Sequence, residues 1–202
     1  MKISDPMIEI YRRNVPLERF LQDGISFKII NRSDYISYQE FIMYFNRIKT
    51  ITKHDLIIGI NFTYGWMPTI FEFQSDQFEE SIEILNRARK GVVPKVEELI
   101  ILKGLFNNSL VGSSKLLHFI NPEIFAIWDS RVYLYLTGNP PYDYRINKFE
   151  DYLSYLNFCD YLTNIPEYEM IHNNVINIIG YPMTKYRTAE LIMYSTGGTR
   201  RY

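Results

Sequence analysis

The spacing of apolar residues is the feature that most limits what this chain can fold into. Over most of its length they recur three and four positions apart, the period that places side chains on one face of an α-helix, and stretches of strict alternation are few. Asp5-Pro6 opens a first helix through Met7, Ile8, Ile10 and Tyr11, with Asp5 as N-cap and Pro6 in the first turn. Ser37 to Ile51 carries Phe41, Ile42, Tyr44, Phe45 and Ile48 at helical spacing, and Ser37 followed by Glu40 reads as a capping box. Ser75 to Arg89 presents Phe78, Ile82 and Leu85 and stops at Gly91. Pro94 to Leu105 is closed by Asn107-Asn108, and Ser113 to Ile120 is broken at Asn121-Pro122. Pro122 to Leu136 mixes helix and turn, and Gly138-Asn139-Pro140-Pro141 is a loop. Helices follow over Lys148 to Leu162, Glu167 to Ile179 and Thr184 to Tyr194, the last closed by Gly197-Gly198. Asp55 to Ile60 is open between helix and strand, and Phe27 to Ile30 or Leu56 to Phe62 are where an extended segment fits. The fold class expected is all-α, with residues 1–202 forming one helical domain or two helical lobes.

The length and the 47% apolar content suffice for a buried core. Seventeen tyrosines and a 16% aromatic share suit either a packed core or stacking on bases. A formal charge of −1 gives no support to a protein that coats nucleic acid, although an enzyme acting at one site needs only a local basic surface. The segment Thr184 to Tyr202 is locally basic, with Lys185, Arg187, Arg200 and Arg201 against Glu190 alone. One cysteine, Cys159, excludes an intrachain disulfide, an iron–sulfur cluster and a cysteine-rich zinc site. His54, His118 and His172 have no ligand-like spacing, so no metal is expected. The opening MKISDPMIEIYRRN lacks a signal-peptide core and no run reaches membrane-spanning length, so a cytoplasmic protein without a membrane partner is expected.

The chemistry concentrates in Leu110 to Val132, LVGSSKLLHFINPEIFAIWDSRV. A helix ends at Leu105-Phe106, a turn carries Leu110-Val111-Gly112, and a new helix begins at Ser113 or Ser114. The amides of Gly112 to Lys115 would then be exposed at a helix N-terminus, which binds phosphate without touching a base; an ordinary αα-hairpin would show the same pattern. Lys115 falls in the first turn, where the dipole disfavours a cation, among Leu116, Leu117, Phe119 and Ile120. A desolvated lysine loses its proton more readily and becomes a better nucleophile, whereas a lysine that snorkels to the surface does not. Asp129 follows in the apolar run Phe125-Ala126-Ile127-Trp128. It can cap a helix starting at Ser130 as well as serve chemistry, and Arg131 is a candidate charge partner.

The hairpin Leu110-Val111-Gly112-Ser113-Ser114-Lys115 followed by Asp129 resembles the helix-hairpin-helix DNA glycosylases, most of all their lysine-bearing 8-oxoguanine branch. It departs from that pattern in having one glycine and no proline in the hairpin, a shorter interval from lysine to aspartate, and no cysteine cluster. The resemblance implies two helical lobes flanking a cleft, with the hairpin and catalytic segment over about residues 94–136. It implies backbone contacts from Gly112, Ser113 and Ser114, a nucleophilic Lys115 that attacks the sugar C1′, and an assisting Asp129. The substrate would be a base flipped out of double-stranded DNA, with no cofactor or metal and a monomeric enzyme; associated β-elimination is open. An oxidised purine follows from the nearest branch, and a hypermodified phage base such as glucosylated hydroxymethylcytosine would make this an antiviral defence enzyme rather than a repair enzyme.

Candidates for the base pocket are Asn61, Tyr64 and Trp66, which combine amide, hydroxyl and flat aromatic groups, and His118, one turn beyond Lys115. The same residues would serve as a core connector and a packed histidine. Lys185 and Arg187, with Arg200 and Arg201, are candidate phosphate contacts. The alternative to a glycosylase is a non-catalytic helix-hairpin-helix DNA-binding module; a third reading is a helical interaction protein in which Lys115 and Asp129 merely pair.

Overall fold

The computed structural model describes residues 6–29, 33–67 and 76–198. Asp5, Ile30, Ser75, Arg200 and Arg201, on which parts of the sequence reading fall, lie outside them, as do Pro68 and Thr69. Among the described residues there are twelve helices and no strand. The chain divides into two compact units, one made of Met1–Ile30 and Ala126–Tyr202, the other of Asn31–Phe125. The division falls inside the 94–136 segment, so Lys115 and Asp129 belong to different units.

The discontinuous unit holds α1 (Pro6–Asn14), α2 (Leu17–Ile25), α8 (Ser130–Thr137), α9 (Asp143–Ile146), α10 (Phe149–Thr163), α11 (Tyr168–Ile179) and α12 (Lys185–Gly197). Of these, α2 and the single turn α9 were not foreseen. Two helix pairs pack here through a glycine that lets the partner come close. A Cβ on Gly197 of α12 would lie 2.2 Å from the Arg131 carbonyl oxygen of α8, and one on Gly24 of α2 would lie 2.0 Å from the Ile171 side chain of α11. The core is aromatic: Tyr11, Phe20, Trp128, Tyr135, Tyr152, Tyr155, Phe158 and Tyr168 are enclosed. Most of their polar tips are matched, since Tyr11 donates to the Asp151 carbonyl at 3.1 Å, Trp128 to the Ile146 carbonyl at 2.8 Å and Tyr135 to the Asp23 carboxylate at 2.7 Å. Many of the tyrosines that could have stacked on bases are therefore core residues.

The continuous unit holds α3 (Ser33–Arg47), α4 (Lys53–Gly65), α5 (Phe78–Arg89), α6 (Val96–Gly104) and α7 (Leu110–Ile120), with α3, α4, α5 and α6 all packed on α7. The Leu56–Phe62 run is helix, not strand. Thr52 and Asp55 form a capping box ahead of it, and Leu56, Gly59, Ile60, Thr63 and Tyr64 are buried at helical spacing. Helix α3 begins at Ser33, so Ser37 and Glu40 lie in its interior and form no cap. The buried stripe of α5 is Ser81, Ile84, Leu85 and Ala88, rotated from the one read in the sequence. Helix α5 ends in a Schellman motif: the Gly91 amide (φ 94°) bonds to the Ala88 carbonyl at 3.0 Å and the Val92 amide to the Arg87 carbonyl at 3.1 Å.

A crowded and an open glycine give opposite expectations for the same substitution. Gly197→Ala meets the Arg131 backbone and should cost about 1–3 kcal/mol. Gly65→Ala, in a helix with open space where the methyl would go, should gain roughly 0.5–1 kcal/mol. Thermal denaturation of both variants checks this; a Gly197→Ala protein as stable as the parent would show that the α8–α12 contact tolerates a wider spacing.

Candidate functional site

The segment joining α6 to α7 differs from the sequence reading in where its special backbone lies. Asn107 (φ 49°) and Asn108 (φ 57°) take the left-handed conformation that reverses the chain, which asparagine tolerates better than most residues. Ser109 then caps α7, its Oγ accepting the Gly112 amide at 3.3 Å. The helix thus begins at Leu110, before the expected Ser113, and the correction has consequences for each residue of the hairpin. The Gly112 amide is taken by the cap, and the Ser113 amide bonds to the Ser109 carbonyl at 3.2 Å. Gly112 is a glycine because the Phe106 ring lies 2.7 Å from where a Cβ would be. The Ser113 hydroxyl donates to the Ser109 carbonyl at 3.1 Å and the Ser114 hydroxyl to the Val111 carbonyl at 2.8 Å, and both residues are buried. Gly112, Ser113 and Ser114 are packing and capping elements, not an open anion cradle.

Lys115 lies in the second turn of α7, not the first, and is only 9% exposed. His118, fully buried one turn on, has both ring nitrogens engaged. Nδ1 is 2.6 Å from the Phe125 carbonyl, which can only accept, so Nδ1 carries the proton. Nε2 is 2.9 Å from the Tyr38 hydroxyl oxygen. Tyr38 is the residue the sequence reading missed. It stands three before Phe41 on α3, and it stacks on Trp66 with 6.0 Å between ring centroids. Trp66 also meets Phe119 edge-on at 5.3 Å. Trp66 and His118 thus share one aromatic cluster. Tyr64 does not belong to it: its ring stacks on Phe106 at 5.7 Å, and burial pushes its hydroxyl up to about 12. Asn61 is exposed and donates to the Ile57 carbonyl of its own helix at 2.8 Å. The four residues read as one base pocket are therefore split, and most of that segment is the end of α4, not a bent connector.

Asp129, in the other unit, is the N-cap of α8. Its Oδ1 accepts the Arg131 amide at 3.0 Å and the Ser130 hydroxyl at 3.3 Å, while Oδ2 takes no hydrogen bond among the described residues. Arg131 meets Asp129 through that amide; its guanidinium lies over the Tyr194 ring, 4.6 Å from the centroid. The basic C-terminal helix is largely neutralised: Lys185 pairs with Glu169 at 2.7 Å, and the buried Arg187 pairs with the buried Glu190. Arg187 is thereby a core ion pair and not a surface phosphate contact. Among the described residues no group of three His, Cys, Asp or Glu side chains is placed to hold a metal, and no helix is long and apolar enough to cross a membrane.

Compared with known protein families, curated proteins and solved structures, the chain matches none.

His172, beside this basic helix, sets a pH dependence. Its Nδ1 is 2.8 Å from the Thr188 hydroxyl oxygen. Burial holds its imidazole below the ordinary 6.5, and Lys185 acts in the same direction against Glu169. The folded chain favours the neutral ring, so the unfolded chain takes up more protons as the pH falls through the ordinary histidine range. The discontinuous unit should lose stability between about pH 7 and pH 5. Urea denaturation across that range is expected to show a shallower loss in His172→Gln than in the parent protein.

Proposed function

We propose that this chain is a DNA glycosylase, with Lys115 as nucleophile and Asp129 as assisting carboxylate. The observation that carries the reading is Asp129. It is a half-buried aspartate at a helix N-terminus, with one carboxylate oxygen committed to the cap and the other without a hydrogen bond among the described residues. This is the station the resemblance requires of it. Lys115 adds a nearly enclosed lysine on the second helix of a helix–turn–helix.

In this chemistry the Lys115 Nζ forms a bond to C1′ of an extruded nucleotide as the glycosidic C1′–N bond breaks. The base leaves with the bonding pair and gains a proton. Asp129 stabilises the positive charge that develops on the sugar, and the ammonium of the adduct then loses a proton as the ring opens to a Schiff base. Strand nicking by β-elimination is open to such an intermediate. The substrate class proposed is a damaged or modified base, an oxidised purine or a hypermodified phage base.

The test is release of a base, read by mass spectrometry, from DNAs carrying oxidised, deaminated, alkylated and phage-type modified bases. One base should be released, and the rate should fall on the order of a hundredfold or more in both Lys115→Gln and Asp129→Asn. Asn caps a helix about as well as Asp, so Asp129→Asn keeps α8, whereas Asp129→Ala should also cost about 0.5–2 kcal/mol of stability. Borohydride should trap the parent protein on DNA and leave Lys115→Gln untrapped. Duplex binding without release from any substrate would replace the glycosylase with a non-catalytic DNA-binding module.

A further inference from the structure

The continuous unit carries a concavity of about 460 Å³ at the end of α5. Glu83, Asn86, Arg87 and Lys90 line it from positions i, i+3, i+4 and i+7, one face of the helix, and Arg89 joins them. Lys49 and Thr50 form the opposite wall from the loop between α3 and α4. Its walls are pinned. Asn86 accepts the Ile51 amide at 2.8 Å and donates to the Ile51 carbonyl at 2.9 Å, tying the loop to α5. Arg89 donates to the Phe45 carbonyl of α3 at 2.6 Å, and Asn121, just past α7, donates to the Ala88 and Arg89 carbonyls at 3.2 and 3.3 Å.

Four cations face this space against one carboxylate, in a chain whose formal charge is −1. The dipole of α5 accounts for cations in its last turn, and Arg87 is also paired with Glu98. Neither accounts for Lys49, which comes from another segment. Lys49 and Lys90 are exposed and have no ion pair among the described residues. Cations gathered on a fixed wall without matching anions repel one another, and a bound polyanion relieves that repulsion. The lining also selects among anionic partners. Protein interfaces are anchored by buried aromatic or aliphatic side chains; every residue lining this space is polar or charged, and its carbon surface comes from the stems of those side chains. Cations and short polar groups without an apolar anchor are what a phosphodiester backbone is held by.

We infer that this concavity, built from Lys49, Thr50, Arg87, Arg89 and Lys90, is a docking site for the phosphate backbone of nucleic acid. The inference rests on the nucleic-acid partner of the reading above and not on its chemistry. It also moves the basic contact surface from Lys185 and Arg187 to a place the sequence did not single out.

Anisotropy of a labelled duplex of random sequence, followed across a salt series, tests it. The variant Lys49→Glu/Lys90→Glu spares Asn86 and Arg89, which hold the walls. It should bind roughly tenfold or more weakly, with the slope of log affinity against log salt reduced by about 2. Arg13→Glu/Lys28→Glu, the same charge change at exposed positions of the other unit, should keep the parent slope. Equal weakening by both pairs, unchanged binding in Lys49→Glu/Lys90→Glu, or binding to phosphatidylserine vesicles in place of duplex overturns the inference. Base release with an unchanged slope leaves the glycosylase standing without this site; a reduced slope with no base release leaves the site standing without the glycosylase.

Discussion

Helix α7 is enclosed on every side except near Val111, so the polar groups along it need partners away from water. A buried polar group without a partner costs roughly as much as several methylenes contribute, so the surrounding helices are held to the positions that supply those partners. Ser113 and Ser114 close onto carbonyls of the preceding turn. His118 is held at one nitrogen by the Phe125 carbonyl, beyond the end of its own helix, and at the other by Tyr38 of α3. The aromatic cluster of Tyr38, Phe41, Trp66 and Phe119 assembles around that histidine. Gly112 and Gly59 set how closely neighbours approach, with Phe106 against one and Phe45 and Leu116 against the other.

The discontinuous unit meets a related constraint differently. Its core is assembled from tyrosines, which bring a large apolar body and a hydroxyl that needs a partner. The Tyr11 hydroxyl donates to the Asp151 carbonyl and the Tyr135 hydroxyl to the Asp23 carboxylate, and these two bonds tie the N-terminal helices to those that follow Ala126. Burial pushes the Tyr152 and Tyr155 hydroxyls and the Cys159 thiol upward, so this cysteine is a packed, protonated residue and not a reactive one. The Arg187–Glu190 pair belongs to the same interior, and an ion pair so enclosed is costly to break at either end.

These two interiors decide which charged residues remain for function. Lys185 and Arg187, read from sequence as phosphate contacts, are paired with Glu169 and Glu190, whereas cations spread over the α3–α4 loop and the end of α5 meet around one concavity. Asp129 keeps a carboxylate oxygen beyond its capping duty, and Lys115 is nearly enclosed on α7.

The sequence by itself determined what is local. The helical period over most of the chain, Pro6, Gly91 after α5, Gly138 after α8 and Asp129 before Ser130 depend on residues within one or two turns of each other, and these are found where the pattern placed them. Local signals that were ambiguous misled: Ser37 and Glu40 match a capping box inside a helix that starts earlier, and Gly112 looks like a turn residue although Asn107 and Asn108 make the turn. Only the tertiary structure decided that Gly112 answers to Phe106, that Arg187 is neutralised in the interior, and that Lys49 and Lys90 face one space. It also decided that residues 1–30 fold with residues 126–202. The reason is that burial and pairing depend on which faces of distant helices meet. The period of a single helix records that a face is apolar, without recording what covers it.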